Sequence, residues 1–316
     1  MEKVKKKIIS VVGPTASGKS ALAIDIARAV GGEIVCCDSM QVYRSMVIGT
    51  AAPTKEEKSA VPHRLFGYRD PKIAFSCSDY AKSATRAIND IVRRGNVPVL
   101  CGGTGLYLDS VLFGVGGEES KPDLEYRAAL EALAKEKGVM FIHSMLKELD
   151  PEAASAIHPN NVRRVIRALE ICRDGVSKTE HDKEARKKGM LYDARVIGLR
   201  YSDRAVLVER IGRRVDKMFE AGLANETEML EKAGVFEANR TAAQAIGYKE
   251  ILPYIHGEIS ESAAKEKLCI ATRQYAKRQM TWFSAKDYVN FIDCDGIEDE
   301  KTYKKIVKNA LKIFHE

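Results

Sequence analysis

The sequence lacks the long apolar runs and the paired cysteine spacings that mark several large classes of protein. No apolar stretch approaches the roughly 18 residues that a membrane-spanning helix requires, so no membrane contact is expected. The seven cysteines form no C-x2-C spacing and no H-x3-H spacing occurs, so neither a zinc site nor a disulfide framework is predicted. Internal repeats and low-complexity segments are also missing, so a repeat architecture is not predicted.

The residues that are present are typical of a globular protein. Of the 316 residues, 45% are hydrophobic and 30% are charged, enough for two domains or for one large domain with an insertion. The formal net charge of +7 permits a polyanionic partner without requiring one. The Lys-rich start is followed by an apolar stretch too short for a signal peptide, so a cytoplasmic protein is expected.

The most informative segment is Gly13-Pro14-Thr15-Ala16-Ser17-Gly18-Lys19-Ser20, a full match to the phosphate-binding pattern G-x4-G-K-[ST]. It follows the apolar run Ile8–Val12 and precedes residues 21–30, which are rich in helix formers. In this strand–turn–helix context the backbone N–H groups, the Lys19 charge and the helix N-terminus bind phosphate, and the Ser20 hydroxyl ligates Mg²⁺. The sequence therefore predicts a site for a phosphorylated molecule, of which ATP is the commonest.

Two further apolar runs end at residues that carry chemistry. Ile34–Cys37 ends at Asp38, and Val97–Cys101 ends at Gly102-Gly103-Thr104-Gly105. A helical pattern lies between the two runs, and such alternation predicts an α/β fold with a parallel sheet. Ligands bind beyond the carboxyl ends of parallel strands. We therefore expect Asp38, Thr104 and the phosphate loop to meet in one crevice.

The rest of the chain has a mostly helical pattern. Residues 114–120 are typical of a linker, and the segment after them, to about residue 188, is helical and dense in charge. Arg195–Leu199 predicts another strand, and from Asp203 the pattern is helical almost to Phe283.

These patterns predict a P-loop NTPase-like core with a parallel sheet, a helical insertion and a helical C-terminal half. The core is expected to comprise residues 1–117 and 190–316, and the insertion residues 118–189. Such an insertion within an α/β core accounts for the order of the strands and helices along the chain.

Two segments have the charge of a nucleic-acid interface. Residues 160–188 hold nine Lys or Arg against five Asp or Glu, and Arg163 and Arg167 share a face on a helix. Residues 271–286 hold four basic and no acidic side chains, interleaved with aromatics. Each segment is either a phosphate-contacting surface or a solvated helix face. Four residues at helical spacing in the second segment predict a core stripe: Cys269, Ala276, Met280 and Phe283.

Asp38 and Thr104 each allow more than one role. A carboxylate just past a strand, near a bound polyphosphate, coordinates Mg²⁺ through water, accepts a proton from a nucleophile, or caps the next helix. The Thr104 hydroxyl lies among glycines that let a ligand approach closely, or it is a simple turn residue.

The three motifs together resemble the tRNA dimethylallyltransferases, also called tRNA isopentenyltransferases. The phosphate loop alone is common, but its combination with Asp38-Ser39-Met40-Gln41-Val42-Tyr43 and Gly102-Gly103-Thr104-Gly105-Leu106-Tyr107, in that order, is specific. The resemblance runs from the first strand to Trp282. Its other matching segments are 62–65, 70–71, 75–76, 161–170, 210–223, 246–250 and 269–279.

The resemblance implies a reaction. A dimethylallyl group would move from dimethylallyl diphosphate to N6 of adenosine 37, beside the anticodon of tRNAs that read codons beginning with U, and diphosphate would leave. It also implies Mg²⁺ as cofactor, a monomer without an obligate protein partner, and a helical insertion that grips the tRNA anticodon stem-loop.

Roles for individual residues follow from this chemistry. Asp38 is the candidate base, because the exocyclic amine of adenine is a poor nucleophile that must lose a proton as the C–N bond forms. The departing diphosphate is stabilised by the phosphate loop, by Mg²⁺ at Ser20 and, by resemblance, by Arg214, with Arg210 and Arg213 close enough to compete for that role. Thr104 is expected to hydrogen-bond the reacting oxygen region.

The tRNA contacts divide into base and backbone contacts. The adenine must leave its stack to reach Asp38, so Ser39, Met40 and Gln41 are expected to contact the flipped base or its neighbours. The candidate RNA-backbone contacts are Arg127, Arg163, Arg164, Arg167, Lys249, Arg273, Lys277 and Arg278.

Three other functions fit the sequence less well. A P-loop kinase acting on a small molecule would use Asp38 as base, but it has no role for the long basic C-terminal half. A nucleotide switch or an RNA-binding module would not need a carboxylate at the phosphate site, and no Asn-Lys-x-Asp motif occurs. A prenyl-chain synthase would require Asp-Asp-x-x-Asp clusters, which the sequence lacks.

Overall fold

A parallel sheet of six strands lies among the residues that the computed structural model describes, which are 5–115, 123–173 and 178–315. The strands are β1 (Lys7–Val12), β2 (Gly32–Cys36), β3 (His63–Arg64), β4 (Val97–Gly102), β5 (Asp193–Arg200) and β6 (Val289–Asp293). Their spatial order is β3-β2-β4-β1-β5-β6, and every pairing is parallel. The predicted α/β class with a parallel sheet is confirmed.

Helices fill most of the chain between the strands. They are α1 (Lys19–Val30), α2 (Lys55–Ala60), α3 (Cys77–Arg93), α4 (Gly105–Phe113), α5 (Leu124–Lys137), α6 (Val139–Leu149), α7 (Pro151–Ala156), α8 (Val162–Arg173), α9 (Lys178–Lys187), α10 (Arg204–Glu220), α11 (Leu223–Lys232), α12 (Val235–Ala238), α13 (Leu252–Ile255), α14 (Glu261–Ser284) and α15 (Glu300–His315). Within the described residues, no helix combines the length and the apolar character that crossing a membrane would need.

The chain divides into two compact units. The first contains the described residues of Met1–Val111 and Tyr192–Glu316, and the second those of Leu112–Leu191. The insertion predicted at 118–189 falls within the second unit, and most of the predicted linker at 114–120 lies outside the described residues. In the second unit α5, α6, α7 and α8 pack around a small apolar core that includes Leu130, Ile142, Leu146, Val165 and Leu169.

The core of the first unit is built on the sheet. Side chains alternate along each strand, and one face of β1, β4 and β5 packs against α1 and α15 through residues such as Val11, Leu22 and Phe314. Helix α3 packs on β2 and β4. With the strands fixed in this way, β1, β2 and β4 end at the same edge of the sheet, where the three motifs follow them.

Candidate active site

The phosphate loop connects β1 to α1. Gly18 has φ of 90°, a conformation that costs glycine nothing, and the next residue, Lys19, begins the helix. Ala16 also has positive φ, 63°, and its carbonyl accepts a hydrogen bond from Arg210 Nε at 2.8 Å. The buried Ser17 hydroxyl has no hydrogen-bond partner among the described residues. A buried donor without a partner is costly, so this loop is arranged for a ligand that accepts hydrogen bonds.

Asp38 follows β2 and holds a tight turn. Its Oδ1 accepts hydrogen bonds from the backbone N–H of Met40 at 2.9 Å and of Gln41 at 3.4 Å. No helix follows until α2, so this is a turn and not the helix cap that one interpretation predicted. Within the described part of the chain, Oδ2 has no hydrogen-bond partner. One carboxylate oxygen thus fixes the side chain while the other stays available.

Thr104 braces the Asp38 turn from the neighbouring strand. Its Oγ1 accepts a hydrogen bond from the Ser39 N–H at 3.0 Å. The preceding glycine has a separate function, because its carbonyl accepts a hydrogen bond from Gln279 Nε2 at 3.0 Å. A Cβ atom at Gly103 would lie 1.9 Å from that nitrogen, so only glycine fits there. Thr104 therefore orients residues 38 and 39.

Gln279, on α14, joins the two glycine-rich segments. While its Nε2 binds Gly103, its Oε1 accepts a hydrogen bond from the Thr15 N–H at 2.8 Å. The side chain is buried, so both bonds are shielded from water. One carboxamide thereby links the phosphate loop, the Gly-Gly-Thr-Gly segment and the helix that carries the predicted basic face.

A cavity of about 280 Å³ opens where these segments meet. Among the described residues that line it, Asp38 supplies the one carboxylate, whereas the cations are Lys19, Arg214, Lys249 and Arg278. The excess of positive charge favours an anionic ligand. A single carboxylate in such a setting is suited to accept a proton or to meet a cation.

Two of these cations are desolvated. Burial lowers the pKa of Lys19, and the neighbouring Arg214 lowers it further, whereas the Asp38 carboxylate opposes that effect. Burial likewise lowers the pKa of Arg214, and Asp38 again raises it. Placing two cations in a partly buried cavity costs free energy that a bound polyanion recovers. The site is therefore arranged electrostatically for a phosphate or diphosphate.

A second cavity of about 720 Å³ adjoins the first and has Lys19, Ser20 and Arg214 among the residues that line both. Its remaining arginines are paired with Glu298, a carboxylate that lines the same cavity. Arg210 Nη1 lies 2.7 Å from Glu298, and Arg213 Nη2 lies 2.5 Å from the same carboxylate. Of the three arginines that compete for the diphosphate, Arg214 alone lines both cavities.

The oxygen atoms near Lys19 are of the kind that Mg²⁺ prefers. Among the described residues, no cluster of three or more His, Cys, Asp or Glu side chains could hold a metal unaided. Magnesium, however, binds through one or two protein oxygens together with substrate phosphates and water. The Ser20 hydroxyl and the Asp38 carboxylate line the same cavity. These residues fit a magnesium ion that arrives with a diphosphate, and the predicted role of Ser20 stays a prediction.

Comparison with known proteins identifies the family. The family model described as IPP transferase matches residues 41–286, and the model described as isopentenyl transferase matches residues 6–69. The chain belongs to the IPP transferase family. The resemblance inferred from the motifs is thereby confirmed.

Full-length relatives and solved structures agree with this assignment. A tRNA dimethylallyltransferase of Caldanaerobacter subterraneus subsp. tengcongensis is 43% identical over 97% of this chain and 96% of its own length. The tRNA isopentenylpyrophosphate transferase of Bacillus halodurans is 40% identical, with a TM-score of 0.72 over 98% of this chain and 97% of its own. A eukaryotic dimethylallyltransferase described as acting on tRNA is 29% identical, with a TM-score of 0.79 over 95% and 78%.

Several predicted tRNA contacts of this IPP transferase lie at the first cavity. Ser39, Met40, Gln41, Lys249 and Arg278 all line it. On α14, Arg273 and Lys277 are exposed next to Arg278. The predicted core stripe of that helix is wrong at two positions, because Cys269 and Met280 are only partly buried. The fully buried residues of α14 are Ala264, Leu268, Thr272, Ala276, Gln279 and Phe283.

The predicted contacts in the second unit divide into two kinds. Arg163 and Arg164 are exposed on α8. Arg127 and Arg167 both bind Glu170, whose side chain is only 4% exposed, with Arg127 Nη2 at 2.6 Å. The Arg127 pair joins α5 to α8, whereas the Arg167 pair lies within α8, so both guanidinium groups have a structural role.

Replacing Glu170 with glutamine is expected to destabilise the protein by about 3 kcal/mol, because it removes the charge of a buried carboxylate that binds Arg127 and Arg167. Burial by itself would raise the pKa of Glu170, but hydrogen bonds from Arg127 and Arg167 lower it below its ordinary value of 4.5. The stabilisation is therefore present above pH 4.5 and is lost as the pH falls through the lower, folded-state pKa.

Thermal unfolding of the full chain at several pH values measures this effect. The matched control is Glu152→Gln, which breaks the exposed pair with Lys183 in the same unit and should cost at most about 1 kcal/mol. Equal losses for the two variants at neutral pH would show that the Glu170 cluster contributes no more than a surface pair.

Sequence reasoning gave no role to two residues of the site. Gln279 was part of a matching segment, but its two bonds span 264 and 176 positions along the chain. Tyr275 lines the first cavity, and burial together with the Asp38 carboxylate raises its pKa, so it stays a hydrogen-bond donor near that carboxylate. Tyr275 and Gln279 lie one turn apart on α14. That spacing places them on the same face of the helix, and it is the one sequence signal that could have indicated a shared site.

Proposed function

We propose that this member of the IPP transferase family transfers a dimethylallyl group from dimethylallyl diphosphate to N6 of adenosine 37 in tRNAs that read codons beginning with U. The observation that carries the proposal is the charge arrangement of the first cavity. One fixed carboxylate, Asp38, shares the cavity at the end of the phosphate loop with a partly buried lysine, Lys19, and a partly buried arginine, Arg214. This arrangement suits a displacement in which an amine loses a proton and a diphosphate leaves.

The leaving group is held by the phosphate loop. Backbone N–H groups of the loop, the Ser17 hydroxyl, Lys19 and Arg214 would donate hydrogen bonds to the diphosphate and offset the charge that grows on it as the C–O bond breaks. The electron pair of that bond stays with the diphosphate. The Ser20 hydroxyl would hold Mg²⁺, whose positive charge would help to stabilise the departing diphosphate.

The nucleophile is activated by Asp38. Its Oδ1 is fixed by two backbone N–H groups, and Oδ2 is left to accept the proton from N6 as the new C–N bond forms. The Ser39–Thr104 hydrogen bond braces this turn. Because the orientation of the base is set before the substrates arrive, little reorganisation is required during the reaction.

The tRNA is positioned by the residues around the mouth of the first cavity. Ser39, Met40 and Gln41 would contact the flipped adenine, while Lys249, Arg273, Lys277 and Arg278 would bind phosphates of the anticodon stem-loop. Arg163 and Arg164, which are exposed on α8 of the second unit, would also bind RNA phosphates. Arg127 and Arg167 already bind Glu170, so any contact they make with RNA phosphates would be in addition to those bonds.

A label-transfer assay tests the proposed function. The protein is incubated with radiolabelled dimethylallyl diphosphate, Mg²⁺ and unmodified tRNA carrying the sequence A36-A37-A38. Label should enter the tRNA without ATP. Label that stays out of the tRNA, together with ATP-dependent phosphorylation of a small metabolite, would establish the kinase alternative instead.

Replacing Lys277 with alanine is expected to weaken tRNA binding and to reduce the slope of log K against log salt concentration by about one. The physical reason is that one fewer counterion is released from the RNA. Filter binding over a range of salt concentrations measures the slope. Lys305→Ala, an exposed lysine on α15 with the same change in net charge, is the control and should leave the slope as it is. An unchanged slope for Lys277→Ala would mean that this face is only solvated.

A further inference from the structure

The loop that follows the Asp38 turn is held by one buried carboxylate on α11. Glu226 is only 6% exposed. It accepts hydrogen bonds from three successive backbone N–H groups, those of Val47 at 3.1 Å, Ile48 at 2.9 Å and Gly49 at 3.0 Å. The Tyr248 hydroxyl donates a fourth at 2.8 Å. Four donors on one buried carboxylate fix both the side chain and the loop.

Packing reinforces these bonds. The fully buried ring of Tyr248 lies against Gly49, where a Cβ atom would come within 2.6 Å of the ring. Gly247 also approaches the same glycine so closely that its own Cβ would lie 2.9 Å from the Gly49 carbonyl oxygen. The loop is therefore held both by hydrogen bonds to Glu226 and by close packing against residues 247 and 248.

The two residues that follow point their carbonyl groups at the site. The Thr50 carbonyl accepts hydrogen bonds from Gln41 Nε2 at 2.9 Å and from Arg214 Nη2 at 3.4 Å. The Ala51 carbonyl accepts a second bond from Gln41 Nε2 at 3.0 Å. Gly49, Thr50 and Ala51 line the first cavity. The loop thus sets the orientation of Gln41, proposed to contact the adenine, and of Arg214, proposed to contact the diphosphate.

We propose that Glu226 is a positioning residue for the transfer reaction. It touches neither substrate. By fixing residues 47–49 it places the Thr50 and Ala51 carbonyls, which in turn aim Gln41 at the adenine and Arg214 at the diphosphate. The inference rests on the proposed function, since it assigns a kinetic consequence to this network.

Glu226→Gln tests the proposal, because the amide keeps the shape of the side chain but turns an NH₂ group toward N–H donors. Both kcat and kcat/KM for dimethylallyl diphosphate should fall by about tenfold to hundredfold, the usual effect of misplacing reacting groups by about 1 Å. The dissociation constant for tRNA should stay within about twofold, because phosphate contacts supply most of that affinity.

Two further variants separate positioning from a general loss of stability. Glu33→Gln is the matched control. Glu33 is a buried carboxylate, 1% exposed, that accepts hydrogen bonds from Arg64, Arg94 and Asn96 and lines neither cavity. It should lower the melting temperature without changing kcat at a temperature where the protein is folded. Tyr248→Phe keeps the ring on Gly49 and removes one of the four bonds, so its loss of kcat should be smaller than that of Glu226→Gln.

Amide hydrogen exchange reports on the loop independently of the reaction. The peptide containing residues 47–49 should exchange faster in Glu226→Gln than in the wild type or in Glu33→Gln. If the wild type transfers no label to tRNA, the proposed function fails. Hydrogen exchange then still decides whether Glu226 orders the loop, and titration of wild type and Glu226→Gln with pyrophosphate decides whether it orders Arg214. Unchanged exchange, or a wild-type kcat in a Glu226→Gln protein with faster exchange, would overturn the positioning role.

Discussion

Replacing Asp38 with asparagine is expected to lower kcat for dimethylallyl transfer by about 10²-fold or more, because the adenine amine then loses its proton acceptor. Asparagine keeps an oxygen in the place of Oδ1, so the bonds to the Met40 and Gln41 N–H groups and the turn itself should persist. Affinity for tRNA should change by less than about twofold, since it depends chiefly on phosphate contacts. Single-turnover kinetics and filter binding measure the two effects.

Two comparisons decide whether Asp38 is a base or only a turn residue. Asp38→Ala removes both functions, so it should be at least as slow as Asp38→Asn and less stable. Asp79→Asn changes a carboxylate that caps α3 in a box with Ser76 and does not line either cavity, so its kcat should stay near wild type. A wild-type rate for Asp38→Asn would show that Asp38 is not the base and that its only function is to hold the turn.

Replacing Arg214 with glutamine is expected to lower kcat by about 10²-fold to 10³-fold, the usual cost of removing one donor that stabilises developing negative charge. Glutamine can still donate a hydrogen bond to Thr50, but it carries no positive charge toward the diphosphate. The Arg214 guanidinium also offsets the negative charge of Asp38. The variant leaves that charge less compensated and removes a cation, so its affinity for pyrophosphate should fall. Pre-steady-state transfer and calorimetric titration with pyrophosphate measure the two losses.

The neighbouring arginine provides the control. Arg213→Gln removes an equal charge one residue away, but Arg213 is half exposed and pairs with Glu209 and Glu298. Its rate should stay within about threefold of wild type, as for an exposed ion pair. Comparable losses for the two variants would mean that the second cavity as a whole, and not Arg214, holds the leaving group.

The sheet could be predicted where strong local signals coincided. β1, β2 and β4 are short apolar runs that each end at a motif. Their bounds in the structure differ from the predicted bounds by no more than two residues. β6 was not predicted, because only Val289 and Ile292 of its five residues are buried and the helical pattern of α14 ends just before it. Edge strands carry this weak pattern because one side lacks a neighbouring strand.

The site could be predicted as far as motifs reach. Lys19, Asp38 and Thr104 follow three strands that share an edge, and topology alone brings such residues together. The role of Glu226 could not be predicted, because a single glutamate in an amphipathic helix is normally a surface residue. Its hydrogen-bond partners lie 177 to 179 positions away along the chain and meet it only in the folded structure. Charge likewise predicted RNA contacts for Arg127 and Arg167. The pair between Arg127 and Glu170, 43 positions apart, is visible only once the helices are packed.

In the proposed reaction, the phosphate loop holds a leaving group while Asp38 takes a proton from an adenine. Wild-type protein is mixed with dimethylallyl diphosphate, Mg²⁺ and unmodified tRNA, without ATP, and the nucleosides of the digested tRNA are analysed by mass spectrometry while released diphosphate is counted. We expect one dimethylallyl group at adenosine 37 for each diphosphate released, and none when that adenosine is replaced by guanosine. Diphosphate released without modified adenosine, or modification that requires ATP, would contradict the proposed transfer.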